Sequence, residues 1–234
     1  YVMISNGKFY ESQFEEATIE LLREAHWQYA FGDDIHRKYT DPLIEEDLRN
    51  FLAVQYKDKN LTTSEMDSIV ANLRNTGGQN DYYALRNTFL LYRDGYDFAY
   101  SDGRSNPFRL EYIDFEHPVH NIFRCVNQFV MEQGRENRRP DILLFINGIP
   151  VCIIELKNPT KQNATIHDAH TQICTRYMRD IPALLKYCAL AVISDGAKNA
   201  LGATYTPFEF FYEWKKIENE DKAGKGLDTL RTLI

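Results

Sequence analysis

Two apolar runs constrain this chain more than any other feature. DILLFI (141–146) and IPVCIIEL (149–156) are separated only by Asn147-Gly148. Unbroken runs of this kind belong to strands covered on both faces, at the centre of a sheet with helices on either side. CALAVISDG (188–196) reads as a third such strand. The first two runs also carry charge at their ends. Asp141 opens one, and Glu155 and Lys157 close the other. A charge beside a dry core costs roughly several kcal/mol unless it is paired or bound to metal, so this placement needs a cause.

Register decides whether the three charges can meet. A two-residue turn at Asn147-Gly148 pairs Ile146 with Ile149. Carried along the strands, that register sets Asp141 opposite Ile154 and turns Glu155 to the other face. A three-residue loop, Asn147-Gly148-Ile149, pairs Ile146 with Pro150 and sets Asp141 opposite Glu155. Lys157 then follows on the same face two residues later. Pro150 has no N–H to donate and suits a strand start. The odd loop, or an equivalent bulge, is therefore expected. On one face, Asp141 and Glu155 would hold a hard divalent cation such as Mg²⁺, with the Leu156 carbonyl as a further ligand. Lys157 would orient a water or stabilise charge developing on a phosphate. That chemistry is phosphodiester hydrolysis. The same residues could instead form a structural ion pair, Glu155 with Lys157 or with Arg139.

The rest of the chain supplies the cover. Phe14, Ala17, Ile19, Leu21, Leu22 and Ala25 make a helical stripe in a segment that Gly32 closes. Further helices are expected from Asp41-Pro42 through LIEEDLRNFLAVQY, from Thr63 to the stop at Thr76-Gly77-Gly78, and over DYYALRNTFLLYRD with Gly95 past its end. FRLEYIDF (108–115) alternates like a strand. PVHNIFRCVNQFVME (118–132) fits either a helix or a strand. Residues 165–179 read as helical, and Pro182 interrupts the chain soon after. The class is α/β: a helical N-terminal part, then a mixed sheet with helices on both sides.

A formal net charge of −7 argues against a simple nucleic-acid coating protein, because phosphate binding runs on Lys and Arg. It leaves room for a local basic strip, and Arg135–Lys161 is basic on balance. The 15 Tyr and 14 Phe read as packing residues. Cys125, Cys152, Cys174 and Cys188 show no zinc-site spacing and read as free thiols of a reducing compartment, the cytosol. No apolar run has the length of a membrane span. The chain starts at Tyr1, and LDTLRTLI at its end reads like a helix cut mid-course, so a fragment of something longer is expected.

The segment RRPDILLFINGIPVCIIELKNP (138–159) resembles the PD-(D/E)xK nuclease motif in the form carried by the R subunit of type I restriction endonucleases. The likeness takes in Arg138-Arg139 before Pro140-Asp141, then Asn147-Gly148-Ile149-Pro150, then Glu155-Leu156-Lys157-Asn158-Pro159. LEYIDFEHPVHNIFRCVNQF, YCALAVISDGAKNALGA and FEEATIELLREAHWQY are similar to other parts of that family in the same order. The resemblance covers most of the chain, most strongly from about Leu110 to Ala203.

This resemblance implies a restriction-endonuclease-like core over 108–203, a largely helical insertion over 33–95, and one nuclease domain over 1–234. It implies Asp141 and Glu155 as metal ligands and Lys157 as the catalytic lysine. Glu15 is similar to the acidic residue of the family's first helix, which approaches the metal, although Glu16 and Glu20 compete for that role. The family's Gln-x-x-x-Tyr motif is one residue longer here, Gln172 to Tyr177. A step of five does not keep both residues on one α-helical face.

The implied partners are double-stranded DNA and the modification and specificity subunits of a restriction complex. Arg138, Arg139, Lys161 and Arg176 are candidates for a phosphate path. ATP would serve a motor region, and the Gly-x-x-x-x-Gly-Lys-Ser/Thr phosphate loop of such a motor is missing from this sequence. Two other readings stay open: a non-catalytic DNA-binding or assembly module that keeps the fold, and a junction-resolving or repair nuclease acting without ATP. His117 and His120 stand three apart but flank Pro118; His167 and His170 also stand three apart, where a ligand pair is one reading and solvated or capping roles are the expectation. Ser194-Asp195-Gly196 reads as a turn after a strand.

Overall fold

The computed structural model describes residues 11–157, 165–217, 220–223 and 227–233. Helix α1 (Glu11–Glu24) leads into β1 (Gln28–Phe31). A block of three helices follows: α2 (Glu45–Gln55), α3 (Thr63–Asn75) and α4 (Asp81–Asp94). Strands β2 (Tyr96–Phe98) and β3 (Phe108–Leu110) form a small ribbon. Next come β4 (Phe123–Asn127), the short pair β5 (Met131–Gln133) and β6 (Glu136–Arg138), and then β7 (Ile142–Ile146) and β8 (Ile149–Leu156). Helix α5 (Ile166–Thr171) continues through a π-helical stretch (Gln172–Tyr177) into α6 (Met178–Asp180), and α7 (Pro182–Leu185) follows. Strands β9 (Leu190–Ser194), β10 (Asn199–Ala203), β11 (Tyr212–Trp214), β12 (Lys216–Ile217) and β13 (Glu220–Ala223) precede α8 (Leu227–Leu233).

Seven strands form one sheet in the order β1-β4-β7-β8-β9-β10-β11. The β1–β4 and β8–β9 pairs are parallel and the others antiparallel. This is the α/β class with the mixed sheet expected of a restriction-endonuclease-like core. The two apolar runs lie at its centre and are covered on both faces. Ile142, Leu144, Ile154 and Leu156 pack with Phe14 and Leu22 of α1 and Leu230 of α8. Leu143, Phe145 and Ile153 pack on the other face with Ile173, Tyr177 and Leu184. The α2–α4 block keeps a cluster of its own around Leu48, Leu52, Ile69, Leu73 and Tyr112.

Several boundaries differ from expectation. The first helix stops at Glu24, and His26 adopts a left-handed φ of 69°. Gln28–Phe31, read as part of that helical segment, is instead a strand lying parallel to β4, because pairing across space outweighs four residues of local preference. Helix α2 begins at Glu45, while the Asp41 side chain accepts the Leu43 N–H in a turn. Helix α3 is capped by Thr62, which exchanges hydrogen bonds with Glu65 in a capping box. Only Phe108–Leu110 of the alternating segment is strand. The ambiguous segment 118–132 contains β4.

The β7–β8 hairpin resolves the register question. Its turn has two residues, not three: Ile146 pairs with Ile149. Asn147 and Gly148 supply the two left-handed conformations such a turn needs, with φ of 51° and 75°. Farther along, Phe145 pairs with Pro150 and Leu144 with Cys152, which leaves Val151 as an extra, bulged residue. This bulge does the work assigned to the odd loop. Ile142 then pairs with Ile154, so Asp141 falls opposite Glu155.

The turn is locked to its surroundings. The Asn147 side chain accepts the Ile122 N–H at 2.7 Å and donates to the Tyr112 carbonyl at 2.9 Å and to Asn121 Oδ1 at 2.8 Å. A Cβ on Gly148 would lie 2.1 Å from the Ile44 carbonyl oxygen. Asn147→Ala should cost about 3 kcal/mol, at roughly 1 kcal/mol per buried hydrogen bond lost. A urea midpoint unchanged from wild type would contradict that account of the turn.

Candidate active site

Glu155 ends the central strand only 1% exposed. By strand alternation it shares a face with Ile153, the face covered by α5 and the π-helical stretch. Asp141 faces it across the β7–β8 pair and accepts the Leu156 N–H at 2.8 Å through Oδ2. Lys157 is fixed by its backbone N–H, which donates to the Ser194 carbonyl of β9 at 2.8 Å. Its Nζ donates to Glu155 Oε1 at 2.9 Å and to Gln172 Oε1 at 2.7 Å. Gln172 Nε2 donates to the Tyr177 hydroxyl at 2.6 Å, and that hydroxyl donates to Glu155 Oε2 at 3.3 Å. Glu155, Lys157, Gln172 and Tyr177 thus form a closed ring.

The π-helical stretch makes that ring possible. A five-residue step separates two side chains on an α-helix, but Gln172–Tyr177 is π-helical. Its i→i+5 hydrogen bonding brings residues five apart onto one face. The extra residue between Gln172 and Tyr177 is absorbed there, and both side chains reach Glu155 or its lysine. Gln172→Ala should free the Lys157 ammonium without touching either carboxylate. A turnover loss of about 10- to 100-fold is expected, with little change in metal affinity, as for other groups that orient a site from behind. Parallel kinetic and metal titrations would check this split.

The electrostatics of the site suit a cation. Burial pushes the Glu155 carboxyl up to about 8, and the nearby Asp141 charge adds to the shift. Lys157 and the Tyr177 hydroxyl pull in the other direction. The Tyr177 phenol is itself pushed up, chiefly by burial. Two facing carboxylates, one of them deeply buried, can both ionise readily only beside added positive charge. Their hard oxygen donors fit a divalent cation of the Mg²⁺ kind.

Of the three candidate acids on the first helix, Glu15, Glu16 and Glu20, Glu15 is the one anchored to β4. It accepts from Asn127 Nδ2 at 2.8 Å and from Gln128 Nε2 at 3.0 Å. Gln128 in turn donates its backbone N–H to the Asp141 carbonyl at 3.2 Å. Glu15 therefore approaches Asp141 around the end of the sheet, through Gln128. Sequence reading had not singled out Gln128, which takes a left-handed φ of 54°. No local pattern marks it, since its role comes from the meeting of α1 with β4. Glu16 and Glu20 line the same cleft of about 500 Å³, and Glu20 pairs with Arg23.

The basic candidates divide. Arg138 is held by Asp180 and Glu136, both at 2.6 Å. Arg139 and Arg176 are exposed. Lys161, like Asn158 and Pro159 of the motif, lies outside the described residues. His170 Nε2 meets the Thr206 carbonyl at 2.9 Å, and both His167 and His170 pack edge-on against Phe208. Ser194 is buried and hydrogen-bonds Asn199, as a residue leading into a turn. The four cysteines are free thiols.

Comparison with known proteins agrees with this architecture. A family model described as the type I restriction enzyme R protein N terminus matches residues 8–210. The type I restriction enzyme HindI endonuclease subunit of Haemophilus influenzae is 30% identical over 96% of this chain and 22% of its own length. The putative type I restriction enzyme MjaIXP endonuclease subunit of Methanocaldococcus jannaschii is 30% identical over 88% of this chain and 20% of its own length. The SsaAORF53P endonuclease subunit of Staphylococcus saprophyticus is 26% identical over 74% of this chain. The chain spans about one fifth of the length of the first two relatives. With a match over most of its residues, it belongs to the family of type I restriction enzyme R protein N-terminal regions.

Proposed function

We propose that this chain is the metal-dependent nuclease domain of a type I restriction enzyme R subunit, cleaving the phosphodiester backbone of double-stranded DNA. The observation that carries the proposal is the Val151 bulge, which sets Asp141 opposite Glu155 beside Lys157. Asp141, Glu155 and the Leu156 carbonyl would hold Mg²⁺, which supplies Lewis acidity to the phosphate and lowers the pKa of a water. Lys157 presents its ammonium to the attacking water or to the charge growing on the phosphate. Gln172 and Tyr177 hold that ammonium and the Glu155 carboxylate in one orientation. Glu15 joins from the other side of the same sheet end through Gln128. Arg139 and Arg176 would line the phosphate path.

Sequence recognition falls to modification and specificity subunits, and ATP-driven translocation to a motor region of the longer subunit. The cytosol suits both the free thiols and the substrate. Among the described residues no helix is long and apolar enough to cross a membrane.

The test is cleavage of supercoiled plasmid by the assembled restriction complex with ATP, in Mg²⁺ and then in EDTA. Scission that needs Mg²⁺ supports the proposal. Scission undiminished in EDTA would overturn the metal dependence, and a complex that translocates without cutting would leave the chain as a binding or assembly module.

A further inference from the structure

A second group of potential ligands sits at the other end of the sheet. Asp114, His117 and His120 lie in the connection between β3 and β4, and the ligand atoms of all three lie within 4.8 Å of one another. Phe123, at the start of β4, pairs with Ile146 beside the Asn147-Gly148 turn, whereas Asp141 precedes the opposite end of β7. The cluster is therefore remote from Glu155 along the strands.

Local structure explains how the three side chains meet. Pro118–His120 is a 3₁₀ turn with Pro118 at its first position. Side chains three apart eclipse in this geometry, and the His117 and His120 rings stack with centroids 5.1 Å apart at 24°. The Asp114 carboxylate is held beneath them. Oδ1 accepts the His117 backbone N–H at 2.8 Å, and Oδ2 accepts from Gln55 Nε2 at 3.2 Å. His120 Nδ1 lies 2.9 Å from Oδ2, and His117 Nδ1 lies 3.7 Å from Oδ1. Asn121 ties the loop down by accepting the Asp114 N–H and donating to the Asp114 carbonyl, and it also accepts from Asn147.

We propose that Asp114, His117 and His120 form a distinct binding site for a transition-metal ion of the Zn²⁺ class, which would fix the fold of the β3–β4 connection. The donor types point to that ion class. Imidazole nitrogens favour Zn²⁺ and its neighbours, whereas the all-oxygen set at Asp141 and Glu155 favours Mg²⁺. Two histidines and one carboxylate leave a fourth tetrahedral position for water.

The geometry is close to what is needed. Bonds of about 2.0–2.2 Å place tetrahedral ligands roughly 3.3–3.5 Å apart, so the set must contract by little more than about 1 Å. The carboxylate is fixed, and the two rings, 63% and 52% exposed, are free to swing. The His117 backbone N–H already caps Asp114, and the two stacked imidazoles add their own Nδ1 atoms around the same carboxylate.

Isothermal titration of the metal-stripped chain with ZnCl₂ tests this. Wild type and Asp141→Ala should each retain one binding event that is lost, or weakened at least tenfold, in His117→Ala/His120→Ala. Both histidines are about half exposed, so the double variant should keep its melting temperature in EDTA. As a check that needs no variant, Zn²⁺ should shift the NMR signals of these two imidazoles in the wild-type chain. Unchanged imidazole signals, or equal Zn²⁺ binding by wild type and the double variant, would overturn the assignment.

Discussion

Asp141→Ala is expected to reduce Mg²⁺-dependent DNA cleavage by about a thousandfold or more, with Glu155→Ala close behind and Lys157→Ala losing roughly 10²- to 10³-fold. The three losses should differ in kind. Asp141 and Glu155 face each other across β7 and β8, so deleting either carboxylate removes half of the pair proposed to hold a cation. The stabilisation of the folded chain by added Mg²⁺ should then disappear as well. Lys157 opposes any cation at Glu155, since its Nζ already lies 2.9 Å from Oε1. Lys157→Ala should therefore keep or strengthen the Mg²⁺-induced rise in melting temperature while losing turnover. Plasmid nicking by the assembled complex, paired with thermal melts of each variant with and without Mg²⁺, separates these roles. Wild-type cleavage by any one of the three would remove that residue from the mechanism.

Glu155→Gln should abolish cleavage and yet make the metal-free chain more stable at pH 8, by about 4 kcal/mol at roughly 1.4 kcal/mol per pKa unit. The sign follows from proton linkage. The Glu155 carboxyl titrates near 8 in the folded chain against 4.5 ordinarily, mainly because it is buried. Between those values the folded chain holds a proton that the unfolded chain has released. This contribution to stability is complete below about pH 4.5 and is lost as pH rises through about 8. Glutamine carries no charge to desolvate, so the variant should match wild type at low pH and exceed it increasingly toward pH 8. Near pH 8, a gain of about 8–16 °C in melting temperature is expected for a chain of this size. Excess Mg²⁺ should narrow the gap by stabilising only the wild type. Parallel melting-temperature profiles of the two proteins across this pH range would show burial of Glu155 to be energetically silent.

Much of the core was legible because burial leaves a local record. Strands β7, β8 and β9 followed from runs with no polar interruption, and their central position followed from burial on both faces. Helices α3 and α4 were bounded by their breakers, Thr76-Gly77-Gly78 and Gly95. The need for Asp141 to lie opposite Glu155 was also legible, because alternation makes register a matter of counting residues.

What the count did not reveal was where the odd residue sits. The turn at Asn147-Gly148 is held by Ile122, Tyr112, Asn121 and the approach of Ile44. That docking enforces two turn residues and displaces the irregularity to Val151. The Gln172–Tyr177 spacing is a similar case: counted on an α-helix, the two side chains diverge, and π-helical bonding reunites them on one face. Strand β1 and the path from Glu15 through Gln128 both depend on segments far apart in sequence. Hydrophobic periodicity records which side of an element is dry. The partner it packs against, and the hydrogen-bond register that suits that partner, are settled only when the layers close, because their energies arise between elements and not within them.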